Sequence, residues 1–246
     1  MTVLTVGPDG RVRHRIGPDE LSNDLAGWIA RDLVAPGHIR PAAFESTFVS
    51  VVLSTARRPE DAWLRFYRNT LAELAAGGKP GGTNAGMAPV HKRAAALAVG
   101  SCVELGSCFG FLSLGLAAAG SRVTAVDLVP GTVRLLARTA AVLEMPVTAV
   151  AGNATAVPLV ECSADTVFAV HLLEHLPPQA AQRVVGEMLR VARRRVVVAV
   201  PFEDEPDPTW GHVRTFDLAA LNALGASTGR PYAVSEHHGG WLVVDR

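Results

Sequence analysis

Glu104, Gly106 and Gly110 at the end of one apolar run, and Asp127 at the end of the next, are residue types that can build a nucleotide-type cofactor pocket. The stretch Val103-Glu104-Leu105-Gly106-Ser107-Cys108-Phe109-Gly110 reads as a strand running into a glycine turn. Glycine there lets the chain reverse without a Cβ clash and lets a ligand approach the backbone, and the later carboxylate can grip two ribose hydroxyls. A dinucleotide turn carries three spaced glycines, whereas here the middle position is Cys108. Glu104 would repel a pyrophosphate and attract an ammonium, so the pattern points away from NAD and toward an amino-acid-bearing ligand. His171, His175 and His212 follow later strands, and imidazole has the pKa for proton transfer near neutrality. Glu203, Asp204, Glu205 and Asp207 crowd one loop where oxygen ligands could hold Mg²⁺. A solvated acidic loop is the favoured reading of that run, and no metal site is assigned.

The elements that must position these groups are legible from punctuation and periodicity. Thr2–Val6 and Arg11–Ile16 flank Gly7-Pro8-Asp9-Gly10, which predicts an N-terminal β-hairpin. Helices are expected over about 18–33, 41–56 and 59–75, each opened near a proline suited to the first turn. Trp63, Phe66, Tyr67, Leu71 and Leu74 form an apolar stripe on the third, read as core. Gly77-Gly78-Lys79-Pro80-Gly81-Gly82 breaks the pattern and places a boundary there, giving an N-terminal region 1–82 and a second domain 83–246.

After a helix over 87–99 the chain alternates. Strands are expected at 102–105, 122–126, 147–151, 166–170 and 195–200, with helices at 109–119, 131–144 and 178–192. A helix at 218–227 and a closing hairpin of 232–235 with 241–244 complete the chain, with His237 and His238 in its surface turn. The alternation specifies an α/β fold, a Rossmann-like doubly wound, mostly parallel seven-stranded sheet with ligands at the carboxyl ends of its strands.

Composition narrows the partners. The 246 residues are 49% hydrophobic, enough for a substantial core, and 23 Lys plus Arg balance 23 Asp plus Glu. A neutral chain has no net field for nucleic acid or an anionic membrane, and neither is expected as a partner. Cys102, Cys108 and Cys162 lack paired metal-ligand spacing and suit a reducing compartment. Met1-Thr2-Val3-Leu4 soon meets a turn, without a basic and long apolar leader, and no apolar run approaches the roughly 18 residues of a spanning helix. A cytoplasmic location follows as an expectation.

With Glu104, Gly106, Gly110 and Asp127 so placed, the chain resembles the class I S-adenosylmethionine-dependent methyltransferases, departing from their usual glycine turn at Cys108. Gly152-Asn153-Ala154-Thr155-Ala156-Val157-Pro158-Leu159 is similar to the family's adenine-contacting loop, where an acidic residue commonly stands at the place of Asn153. Asp165 to Leu176 is similar to its fourth strand and the Leu173-Glu174-His175 signature that follows. The resemblance implies S-adenosylmethionine as cofactor. Glu104 would then orient the methionine amino group, the backbone of Gly106, Ser107, Cys108 and Gly110 would lie against the cofactor, and Asp127 would hold the ribose. Leu128 would pack on adenine, with Asn153 and Ala154 at its edge. His171 would sit beside the methionine moiety or simply end its strand.

Methyl transfer from a sulfonium is an in-line displacement that needs alignment and, for a hydroxyl acceptor, removal of a proton. His212 lies in Gly211-His212-Val213-Arg214-Thr215-Phe216, similar to the acceptor-facing His-x-Arg-x-Phe stretch of many small-molecule methyltransferases. His212 and His175 are therefore the candidate bases, each with a packing role as its alternative. The expected activity is O-methylation of a small or medium polar acceptor, with the N-terminal helices as a substrate lid. The segments Gly17-Pro18-Asp19-Glu20-Leu21, Ala35-Pro36-Gly37-His38, Val200-Pro201-Phe202-Glu203-Asp204-Glu205 and His212 to Asp217, with the glycine turn, further resemble the mycofactocin oligosaccharide methyltransferase family. That likeness implies a glucose hydroxyl of the glycan as acceptor. An N- or C-methyltransferase, a non-catalytic S-adenosylmethionine-binding protein and an NAD-dependent dehydrogenase are the alternatives.

Overall fold

The structure is a computed structural model that describes residues 3–246; Met1 and Thr2, where the expected hairpin begins, lie outside the described residues. The chain divides into two compact units, residues 1–89 with 208–211, and residues 90–207 with 212–246.

In the first unit, β1 (Leu4–Val6) pairs antiparallel with β2 (Val12–His14) around the Gly7–Gly10 turn. The expected 18–33 helix is shorter and changes pitch. Residues 17–22 form turns, α1 spans Asp24–Ile29, and a π-helical turn continues over Ala30–Val34. The buried Asp32 explains part of this, because its carboxylate accepts the backbone N–H groups of Val3 and Leu4 and pairs with Arg31, tying the turn to β1. A short 3₁₀ turn at Pro41–Ala43 leads into α2 (Phe44–Ser54), and α3 (Pro59–Ala76) ends at Gly77 with φ 91°, a conformation glycine adopts without strain. On α3 Phe66 and Tyr67 are fully buried, and Phe66 packs edge-on against Phe48 of α2. Trp210 packs edge-on against Phe44 within the same unit.

α4 runs from Thr83 to Leu97, starting directly after the Gly77–Gly82 break and earlier than the expected residue 87, with Pro89 inside the helix. The second unit then alternates: β3 (Cys102–Leu105), α5 (Phe111–Ala118), β4 (Val123–Asp127), α6 (Pro130–Val142), β5 (Val147–Ala151), β6 (Ala164–Val170), α7 (Pro178–Val191), β7 (Ala192–Val200), α8 (Leu218–Ser227), β8 (Tyr232–Glu236) and β9 (Gly240–Asp245). The seven strands lie in the order β5-β4-β3-β6-β7-β9-β8, parallel except where β9 pairs with β7 and β8. The strand order reverses between β3 and β6, and this switch point opens a crevice at the carboxyl ends of those strands.

Local sequence explains these elements. Central β6 is an almost unbroken apolar run because helices cover both faces of a parallel sheet. On α7 the buried Ala181, Val184, Val185, Met188 and Val191 recur at helical spacing, and Pro178 opens its first turn. Asp217 caps α8 by accepting the N–H of Ala220 at 2.6 Å. Two apolar clusters cover the faces of the sheet, one containing Val167, Val184 and Met188, the other Leu112, Phe168 and Trp241. No helix among the described residues is long and apolar enough to cross a membrane.

Candidate functional site

The glycine turn after β3 is braced against the end of β4. Gly106 and Ser107 donate their backbone N–H groups to the Val126 carbonyl at 2.8 and 3.1 Å, and Cys108 donates its N–H to Asp127 Oδ2 at 2.8 Å. Asp127 Oδ1 accepts the Val129 N–H at 2.9 Å. A carboxylate offers about four acceptor sites. One on each oxygen is used by these backbone N–H groups, and one on each remains. The Gly106 turn is also tight: a Cβ there would come within 2.7 Å of Leu172, which immediately follows His171, and φ is +71°.

Cys108 occupies the left-handed region, φ 47°, as glycine would, and its side chain is exposed. The departure from three glycines is thus a strained residue in a retained backbone shape. Cys108→Gly is expected to stabilise the fold by about 1 kcal/mol, because a left-handed non-glycine residue costs roughly 1–2 kcal/mol. Thermal unfolding checks it; an unchanged or lower Tm contradicts the strain.

Glu104 is 4% exposed, and its carboxyl is bonded by the Ser113 hydroxyl. Burial pushes its pKa up to about 8, with the nearby Asp127 adding to the rise. Such a carboxyl lacks a cation, and an ammonium fits it. Leu128 stands 68% exposed beside Asp127, an apolar surface suited to a flat ring. Asn153 is exposed, and its Oδ1 accepts both the backbone N–H and the hydroxyl of Thr155 at 2.8 Å. That engages the amide oxygen with Thr155, and the amide also carries a donor that an acid would lack. Ala154, half-buried, packs on the core cluster beneath. Glu104 lies in β3, Asp127 and Leu128 stand at the end of β4, and Asn153 and Ala154 follow β5, the three strands being neighbours in the sheet.

A second group gathers at the carboxyl ends of β6 and β7. His171 ends β6 with φ 53°, its N–H bonded to the Ala199 carbonyl of β7. A 3₁₀ turn, Leu173–His175, follows. The Glu174 carbonyl accepts the N–H of Val213 at 2.9 Å and so fixes the loop carrying His212 onto this turn. The His175 and His212 rings meet edge to face with centroids 4.9 Å apart. His212 Nδ1 lies 2.7 Å from Glu203 Oε2, and the imidazole is 7% exposed. Glu203 therefore departs from the solvated acidic loop expected of it: its carboxylate orients a histidine. In the same stretch Arg214 stacks over the buried Phe216 ring at 4.2 Å, so these two residues serve each other.

Glu174 is fully buried, and neither of its carboxyl oxygens has a hydrogen-bond partner among the described residues. Burial pushes its pKa up to about 8. His171 Nδ1 is 3.5 Å away, yet burial pushes His171 down to about 4, as it does His91 of α4. At neutral pH the His171 and Glu174 contact is accordingly no ion pair.

These shifts set a pH dependence. Glu104 and Glu174 stay protonated in the fold up to about pH 8 but ionise near 4.5 when unfolded, so stability falls as pH rises between those values. His91 and His171 do the opposite: the unfolded chain takes up their protons below 6.5, the fold only near 4, and stability falls as pH drops through that window. The pairs offset one another between 4.5 and 6.5. From pH 6.5 to 8 the carboxyls act alone, and the ligand-free protein should lose about 2 kcal/mol per group. Chemical denaturation at pH 6.5 and 8 tests this, and Glu174→Gln should remove about half of the loss. A stability that is flat or rising over that range contradicts it.

Comparison with known proteins finds likenesses to the second unit. Residues 103–200 match the family model described as a methyltransferase domain. The match spans less than half of the chain, so this segment is similar to a methyltransferase domain. No curated protein matches the chain significantly. Among solved structures, the magnesium protoporphyrin IX methyltransferase of Synechocystis PCC 6803, crystallised with bound cofactor, is 19% identical with TM-score 0.52, over 66% of this chain and 79% of its own. A SAM-dependent methyltransferase from Aquifex aeolicus is 15% identical with TM-score 0.55, over 71% of this chain and 96% of its own. At these identities the likeness is one of fold. The second unit places Glu104, Asp127 and Asn153 on one side of the switch point and His171, His175 and His212 on the other. Sequence reading missed Glu203 and Glu174 as site groups; the Leu173-Glu174-His175 signature contained one of them, and no spacing tied the other to His212.

Proposed function

We propose that the chain is an O-methyltransferase acting on a hydroxyl of a small or medium polar acceptor, with a glucose hydroxyl of the mycofactocin glycan as the specific candidate. The bound cofactor supplies an electrophilic methyl group in line with its sulfonium. Glu104 holds the methionine ammonium, Asp127 the ribose, Leu128 the adenine face and Asn153 its edge, while the turn from Gly106 to Gly110 lies along the cofactor. The Glu203–His212 pair carries the hydroxyl assignment. A carboxylate on Nδ1 fixes the tautomer that leaves Nε2 to accept a proton, the arrangement a hydroxyl nucleophile needs and an amine does not. His175, edge-on to His212, lines the same acceptor position.

Residues 1–82 are assigned to acceptor recognition. Trp210, two places before His212 in the chain, packs edge-on against Phe44 of α2. The balanced charge favours a neutral acceptor over a polyanion, and the thiols suit a cytoplasmic enzyme. Incubation with methyl-labelled cofactor and the glycosylated acceptor tests the assignment. Label on the sugar is the expected result; label on another acceptor with none on the sugar overturns the glycan.

A further inference from the structure

Glu174 is a buried carboxylate with no part in proton transfer at His212. Glu174, His175 and His212 each present one ligand atom, and these atoms all lie within 4.8 Å of one another. Glu174 is 1% exposed and both of its carboxyl oxygens lack a hydrogen-bond partner among the described residues. Neither form of that group is well satisfied: its nitrogen neighbour His171 Nδ1 lies 3.5 Å from Oε1, too long for a good hydrogen bond, and a buried carboxyl without one is costly ionised or protonated. Native proteins rarely leave such a group unless something absent from the protein completes it. His212 is also set for a ligand. Its Nδ1 is engaged by Glu203 at 2.7 Å, which directs the Nε2 lone pair the other way. A carboxylate on the far nitrogen is the arrangement that orients metal-bound histidines and raises their basicity.

We propose that Glu174, His175 and His212 bind a divalent transition-metal cation, with Glu203 holding His212 in position. Two imidazoles and one carboxylate favour Zn²⁺ or Mn²⁺ over Mg²⁺ or Ca²⁺, which prefer all-oxygen shells. Three protein ligands leave coordination positions open, and a hydroxyl of the acceptor bound there would have its pKa lowered by the cation. The cation site stands on the donor geometry alone; its use on the acceptor rests on the O-methylation reading. In the metal-bound enzyme His212 serves as ligand rather than base, so the two roles separate experimentally.

The test uses the full chain stripped with chelator and dialysed against ZnCl₂ or MnCl₂, with bound metal counted and affinity measured by calorimetry. The wild type should take up one equivalent at this site. Glu203→Gln should weaken binding about 10–100-fold, the usual effect of losing the outer partner of a ligating histidine. Glu174→Gln and His212→Ala should weaken it more, and His237→Ala, in the exposed β8–β9 turn, should leave it unchanged. Circular dichroism confirms that each variant is folded. Absence of stoichiometric uptake, or equal uptake by Glu174→Gln and His212→Ala, overturns the site. Full methyl transfer to a hydroxyl by stripped enzyme that takes up no metal overturns the cation while the O-methylation reading stands. One bound equivalent together with methyl transfer only to nitrogen or carbon upholds the site and overturns that reading.

Discussion

Replacing His212 by alanine is expected to lower kcat by about 10²- to 10⁴-fold, the usual contribution of a positioned acid–base group, while leaving cofactor affinity unchanged. The separation follows from geometry. His212 reaches the turn after β6 through the Val213 N–H bond to Glu174, whereas the cofactor groups stand on β3 and β4. Glu203→Gln should give a smaller loss of the same kind, since an amide on Nδ1 still bonds the ring but supports an imidazolium less well. His175→Ala should fall between, because the ring packs against His212 and removing it leaves the base less constrained. Steady-state turnover with calorimetry of cofactor binding reads all three. Full turnover in His212→Ala, with or without metal, would remove this residue from the chemistry.

Asp127→Ala is expected to weaken cofactor binding by about 100-fold or more. Two hydrogen bonds from ribose to a charged acceptor are worth roughly 1.5–3 kcal/mol each. The same substitution removes the acceptor for the Cys108 and Val129 N–H groups, so the glycine turn loses its brace at the moment the ribose loses its partner. Asp127→Asn should cost less, because one amide oxygen can still accept while the NH₂ cannot. Calorimetric titration of each variant reads the affinity, and a dissociation constant within a few-fold of wild type would place the ribose elsewhere.

The site was unevenly legible in the sequence, for physical reasons. The strand-turn-strand course through Glu104, Gly106, Gly110 and Asp127 could be read because local sequence constrains it, and β3 and β4 are adjacent parallel partners. The β-α alternation and the closing hairpin were legible for the same reason: period and punctuation are short-range properties. Leu173-Glu174-His175 was visible as a signature, but that Glu174 is buried without a partner depends on packing from elsewhere in the fold. The pairing of Glu203 with His212 crosses a proline-containing loop that has no period, so an acidic run looked like a solvated one. The strained backbone of Cys108 and His171 is likewise a tertiary result, since nothing local asks a cysteine or histidine to adopt positive φ. In the first unit the change of pitch after α1 coincides with Asp32 bonding the backbone of Val3 and Leu4, a contact made across the chain. The passage of α4 through Pro89 contradicts the local preference, and the surrounding structure carries it.

The central claim is that a methyl group is delivered to a hydroxyl at the Glu203–His212 pair. The most direct test is mass spectrometry of a cell extract incubated with the full-length protein and methyl-labelled S-adenosylmethionine, with fragmentation to locate the label. The account predicts a labelled product bearing its new methyl group on oxygen, formed by the wild type and lost with His212→Ala. A labelled product methylated on nitrogen or carbon, or tight cofactor binding with no labelled product, would contradict it.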